Sequence, residues 1–214
     1  MKQRDLLTDS KSWTINDILV HLHFWNRAVD LSLTDEVAFL ELAKEMKGSI
    51  ENYQLRKLEN QLVPERGIKL LTVWHSLCLE MKGRWSHVDP KKRLKWVGPD
   101  MSARSSMSAR QMETWAHGQA IFDLFGKERE ETDRIYNILF LCVNAFGWSH
   151  KVHGLPIPET MPKLELTSPE GILWEFGDMY AGAIKGNATA FCQVMTQTRN
   201  ISDTDLLVEG VIAK

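Results

Sequence analysis

"TINDILVHLHFWNRAVDLS", Thr14 to Ser32, is the stretch that decides the fold. At about 100° per residue it gathers Ile15, Ile18, Leu22, Trp25, Val29 and Ser32 into one stripe, the pattern of an amphipathic helix. His21 falls near the edge of that stripe, roughly 75° from its centre, and His23 falls on the far side. The wheel therefore turns His21 inward and His23 outward.

Outward from this helix, the same periodicity continues to about His153, with further helices beginning near Asp35, Pro64, Ala103 and Thr132. Short connections between amphipathic helices favour an antiparallel bundle. The pattern then changes. "GLPIPETMP" (154–162) holds three prolines and cannot continue a helix, so it is expected to link two domains. "KLELTSPEGILWEF" alternates around Ser168 to Gly171 as a β-hairpin does, Asn187 opens a short helix, and "DLLVEGVIA" suggests a last strand. The expected fold class is mainly α: an antiparallel helical bundle over 1–153, then a small α+β domain over 163–214.

The 26 basic and 28 acidic residues are mixed along the chain and leave a formal charge of -2. No field is present to recruit nucleic acid or an anionic membrane. The longest nearly apolar run, Ile138 to Trp148, is too short for a bilayer, and no leader follows the N-terminal basic residues. Cys78, Cys142 and Cys192 are odd in number and form no CxxC pair, which fits free thiols in a reducing, cytoplasmic compartment. No glycine-rich phosphate loop is present, so nucleotide chemistry has no support.

The chemistry points to "RQMETWAHGQ", Arg110 to Gln119. The helical wheel places Ser106, Ala109, Arg110, Glu113, Ala116, His117, Ala120 and Leu124 on one side, so Glu113 and His117 stand among mostly small residues where a core would carry bulk. A carboxylate enclosed there requires a cationic or hydrogen-bonding partner. Taken singly, Glu113 and His117 fit an i,i+4 surface pair, and His21 fits a core histidine bonded to a carbonyl. Together they make two histidines and one glutamate, the ligand composition of many catalytic zinc sites. The residues alone leave metal binding and ordinary packing both open. His75 lies at the flank of its helix, His87 points outward, and His150 and His153 suit an interface or a helix end. Most of the eight tryptophans fall on core faces and are expected to pack there.

"SWTINDILVHL", followed by "WVGPDMSARSSMSARQMETWAHGQAIFDLFG", resembles the DinB-like metalloprotein superfamily, in particular the branch of the mycothiol-dependent maleylpyruvate isomerase metal-binding domain and its uncharacterised relatives. The likeness continues through "DRIYNILFLCVNAFGWSHKVHGLPIP" and "KLELTSPEGILWEFG". It implies that His21, Glu113 and His117 bind a divalent metal, zinc first and otherwise one such as nickel or iron. The family generally has a further helix before the Trp-Thr segment, whereas twelve residues precede Trp13 here. A partner chain that completes the bundle makes a homo-oligomer one expectation. Where the family more usually carries Asp after His-Gly-Gln, this sequence has Ala120, which removes one outer acceptor.

The resemblance implies an isomerase or transferase that uses a low-molecular-weight thiol on a small-molecule substrate, with Arg110 available to an acidic one. A salt bridge across the bundle is the competing role for Arg110. The alternatives for the whole chain are a non-enzymatic metal- or small-ligand-binding module and a metal-free helical interaction protein.

Overall fold

The computed structural model describes residues 3–210, and the chain forms two compact units, Met1–Phe125 and Gly126–Lys214. The division falls at Phe125/Gly126, and the proline-rich stretch 154–162 lies inside the second unit. The fold is mostly helical, with a small α+β part at the C-terminal end.

In the first unit everything is organised around α1 (Ile15–Thr34). Thr14 caps it. Its side chain accepts from the Asp17 amide while the Asp17 carboxylate accepts from the Thr14 amide, a reciprocal capping box that satisfies two end groups at once. Thr14→Ala is expected to cost about 1 kcal/mol of stability, and Thr14→Ser a few tenths. Chemical denaturation checks this, with equal losses for both variants counting against the cap.

Asp35 ends α1 and caps α2 (Glu36–Glu51), after which come α3 (Leu55–Leu62) and α4 (Gly67–Trp85). A two-stranded ribbon of β1 (Arg93–Leu94) and β2 (Met101–Ser102) leads into α5 (Ala103–Leu124), whose N-cap is Ser102. Helix α3 is not among the expected helices, because its eight residues are fewer than the window over which helical periodicity is read.

Helix α1 is buried on several faces. Val20, Phe24 and Ala28 join Phe39, Ala43 and Met46 of α2, together with Val63 and Leu70. Ile18 and Leu22 pack with Ala120 of α5, and Val29 with Met81, Trp85 and Ala103. A helix enclosed in this way has little solvent-facing surface, with Arg27 exposed at mid-helix. The outward placement expected for His23 is therefore corrected: it is 7% exposed, and burial lowers its pKa, with Arg27 acting in the same direction.

Helix directions follow from paired contacts. The Gly67 amide donates to Asn16 near the start of both α1 and α4, and Arg84 and Trp85 donate to Asp30 near the end of both, so these two helices run parallel. Helix α5 runs antiparallel to α1, with Ala120 beside Ile18 and Ala103 beside Val29. The wholly antiparallel arrangement expected from short loops thus holds for α5 but not for α4, because the α2–α3 segment returns the chain to the end where α1 began.

The second unit begins with a 3-10 turn (Asp133–Ile135) and α6 (Tyr136–Val152). The expected hairpin is present as β3 (Pro162–Thr167) antiparallel to β4 (Leu173–Phe176). Strand β5 (Asp178–Asn187) lies parallel to β3, and β6 (Leu207–Glu209) closes a sheet of order β4-β3-β5-β6. Gly182, at φ 98, lets β5 approach the Glu209 carbonyl where a Cβ would collide. Asn187 caps α7 (Ala188–Met195), as the sequence suggested. The last strand is seen at 207–209, and the expected part beyond 210 lies outside the described residues.

The three cysteines are free. Burial raises all three thiol pKa values, that of Cys142 to about 11, which leaves little thiolate at neutral pH.

Candidate metal centre

Three elements of the first unit build the site. The chain enters α1 through a tight turn in which Lys11 and Ser12 both have φ 54. Thr8 ties this turn down, donating to the Trp13 carbonyl from both its amide and its hydroxyl. Trp13 is thereby laid over two imidazoles: its ring stacks on His117 at 5.4 Å and meets His21 at 5.2 Å. His21 projects from the second turn of α1, and Glu113 and His117 from one face of α5.

These three side chains converge. His21 Nε2 and His117 Nε2 each lie 3.3 Å from the same oxygen, Glu113 Oε2, and one ligand atom from each residue falls within 4.8 Å of the others. Ligands about 2.0–2.1 Å from a tetrahedral zinc are about 3.3 Å apart. Both edges that meet at Glu113 Oε2 match that spacing. The donors also suit a borderline cation, with two imidazole nitrogens and one carboxylate oxygen. His21, Glu113 and His117 are half-buried, so a fourth position can stay open.

Burial by itself raises the Glu113 pKa, but the bonds from His117 and His21 and the charge of Arg110 outweigh it. The net result lies well below the usual carboxylate range. Burial likewise lowers the His21 pKa, and its bonds to Glu113 and Glu59 reverse this to a net increase. The centre thus offers an ionised carboxylate, flanked by two imidazole nitrogens, to a cation.

Arg110, one turn before Glu113, is 8% exposed. Its guanidinium lies 5.8 Å from the Trp25 ring. Nε and Nη1 are buried with no hydrogen-bond partner among the described residues, and burial lowers the pKa against the pull of Glu113. Among the described residues Arg110 forms no salt bridge, the role considered as its alternative.

The other histidines are elsewhere. His75 and His87 are exposed, and His150 and His153 bond the carbonyls of Phe146 and Ser149 one turn back, as residues at a helix end do. Ala120 packs with Ile18 and Leu22.

Sequence reasoning missed Glu59. It is 1% exposed, and its Oε1 accepts from His21 Nδ1 at 2.7 Å and from Trp25 Nε1 at 3.1 Å. A signal was available: Leu55, Leu58, Glu59 and Leu62 occupy positions i, i+3, i+4 and i+7, which puts the acid on the apolar stripe of α3.

Among known proteins, the chain is 31% identical over 204 residues to two uncharacterised proteins of Mycobacterium tuberculosis, MT0041 and Rv0036c, from two strains. The match covers 95% of this chain and 79% of either relative. No solved structure matches it, and no helix among the described residues is long and apolar enough to cross a membrane. The family model of the mycothiol maleylpyruvate isomerase N-terminal domain matches residues 3–122, the region that carries Trp13, His21, Glu59, Glu113 and His117. On that match, which spans more than half of the sequence, the chain belongs to the mycothiol maleylpyruvate isomerase N-terminal domain family, a DinB-like family.

Proposed function

We propose that this chain holds a divalent cation on His21, Glu113 and His117, zinc before nickel or iron, and uses a low-molecular-weight thiol to isomerise or transfer to a small acidic substrate. The observation that carries the reading is the pair of 3.3 Å edges meeting at one Glu113 oxygen. When bound, such a cation lowers the pKa of a thiol in its open position and makes a nucleophile available at neutral pH.

The residues around the centre supply the rest. Trp13 walls one side of the two imidazoles. Arg110 offers two buried, unused donors to a substrate carboxylate. The family description names mycothiol and maleylpyruvate, which suggests a thiol sulfur adding to an activated double bond. The resulting single bond rotates, and loss of the same thiol returns the isomerised alkene with no net consumption of thiol. Free cysteines support a reducing, cytoplasmic setting.

The test joins elemental analysis of purified protein with turnover of a cis-unsaturated diacid, with and without mycothiol. Stoichiometric divalent metal is expected in the wild type, lost in His21→Ala, together with thiol-dependent turnover that a chelator abolishes. Unchanged metal content in His21→Ala ends the metal assignment. Bound metal without turnover of any thiol and electrophile pair makes the protein a binding module instead.

A further inference from the structure

The buried carboxylate behind His21 has no part in the reading above, although it sits at the centre of a continuous polar network. Glu59 is fully enclosed on α3, 38 residues along the chain from His21. Each of its oxygens is engaged. Oε1 accepts from His21 Nδ1 and Trp25 Nε1, and Oε2 accepts from Arg56 Nη1 at 2.8 Å.

Arg56 in turn pairs with Asp17 through its other terminal nitrogen and lies over the Trp13 ring at 4.7 Å. Asp17 closes the capping box with Thr14. The network therefore runs from the N-cap of α1 through Asp17, Arg56 and Glu59 to His21, and Arg56 at its midpoint also supports the tryptophan that covers both imidazoles. A carboxylate with all these partners is not free to serve as a ligand itself.

We propose that Glu59 is the positioning residue of the metal centre: by accepting the Nδ1 proton of His21 it fixes the tautomer that leaves Nε2 for the cation, and Arg56 and Asp17 hold it in place. The physical reason is tautomeric. A neutral imidazole carries one ring proton, and a strong acceptor at Nδ1 keeps that proton away from Nε2, the nitrogen 3.3 Å from Glu113. A negative charge behind the ring also raises its basicity toward a metal. Trp25 and Arg56 fix the carboxylate so that the ring cannot rotate Nδ1 toward the centre without losing the 2.7 Å bond.

This inference rests on the metal reading, and its test separates the two. Zinc dissociation constants are measured by chelator competition at one neutral pH for wild type, His21→Ala, Glu59→Gln and Glu59→Ala, with circular dichroism recording that each is folded. Glu59→Gln preserves shape and an acceptor but not the charge, and is expected to weaken zinc about 10- to 100-fold, the usual cost of losing an outer partner. Glu59→Ala is expected to weaken it further. In nitrogen-detected imidazole spectra of the zinc-loaded protein, the slowly exchanging Nδ1 proton of His21 should be present in wild type and absent in Glu59→Ala. A role in folding alone would lower thermal stability yet leave both readouts in place.

Zinc affinity within twofold of wild type in folded Glu59→Gln, with the metal lost in His21→Ala, overturns the role of Glu59 and leaves the metal centre standing. Should Glu59→Ala not fold, Glu59→Gln alone decides the outcome. Failure of the wild type to bind zinc, or unchanged binding in His21→Ala, overturns the metal reading and this inference with it.

Discussion

Glu113→Ala is expected to abolish metal binding, with a rise in the zinc dissociation constant beyond the about 100-fold that marks the loss of an outer partner. Glu113 Oε2 is the one atom to which both imidazoles point, so its removal takes away a ligand and the negative charge that draws the cation. The substitution also leaves Arg110 without the carboxylate whose charge opposes its deprotonation. Deleting Glu113 also breaks its partly buried pairs with His21 and His117, and removing one partner of a buried pair typically costs about 3–5 kcal/mol. The lower end applies here, because the Glu113 side chain is 27% exposed.

Glu113→Gln keeps the shape and is expected to lose metal as completely while losing less stability. The pH dependence of the metal-free protein adds a signature. A depressed carboxylate pKa contributes stability that is fully present above the ordinary value of 4.5 and lost as the pH falls toward the lowered one. Glu113→Gln should therefore flatten the acid limb of the stability profile. Elemental analysis and denaturant titrations between neutral and acid pH provide the check. Wild-type zinc affinity in Glu113→Ala would remove this residue from the centre.

The convergence of His21, Glu113 and His117 was legible because a helical wheel is a local calculation. His21 has a fixed angle to the stripe of Ile18, Leu22 and Trp25, and Glu113 and His117 share a face of α5 whatever surrounds them. The wheel failed where the answer depended on neighbours. It gave His23 a solvent side because it supplied α1 with one partner, whereas the core places α2, α4 and α5 around that helix. The parallel course of α4 was hidden for the same reason: α3, which helps return the chain, is eight residues long. Strand β5 escaped notice because "DMYAGAIKGN" is rich in glycine and alanine and shows no clean alternation. Glu59 shows a different limit. Its position on the α3 stripe was computable, but only the 2.7 Å contact with His21 reveals that a buried acid there faces an imidazole rather than an isolated core.

Arg110→Met is expected to move stability and activity in opposite directions. Arg110 is 8% exposed, and two of its nitrogens are buried without partners among the described residues. A charge held in that state costs desolvation that nothing nearby repays in full. Replacing buried ionic groups by apolar ones of similar volume is often neutral or stabilising by about 1–4 kcal/mol, and a methionine thioether packs well against an aromatic face such as that of Trp25. Loss of the positive charge that helps to keep Glu113 ionised offsets part of the gain, so a net increase of about 1 kcal/mol is expected, or about 2–4 °C in melting temperature for a chain of this length. Activity should fall by about 10- to 100-fold, since hydrogen bonds to charged groups are worth about 1.5–3 kcal/mol. The loss should appear in KM for an acidic substrate and be absent for its amide. Arg110→Lys keeps the charge but not the planar pair of donors and should lie between the two. If Arg110→Met instead destabilises the protein, or impairs acid and amide equally, then the guanidinium serves the packing of α5 and the substrate carboxylate must be met by other groups.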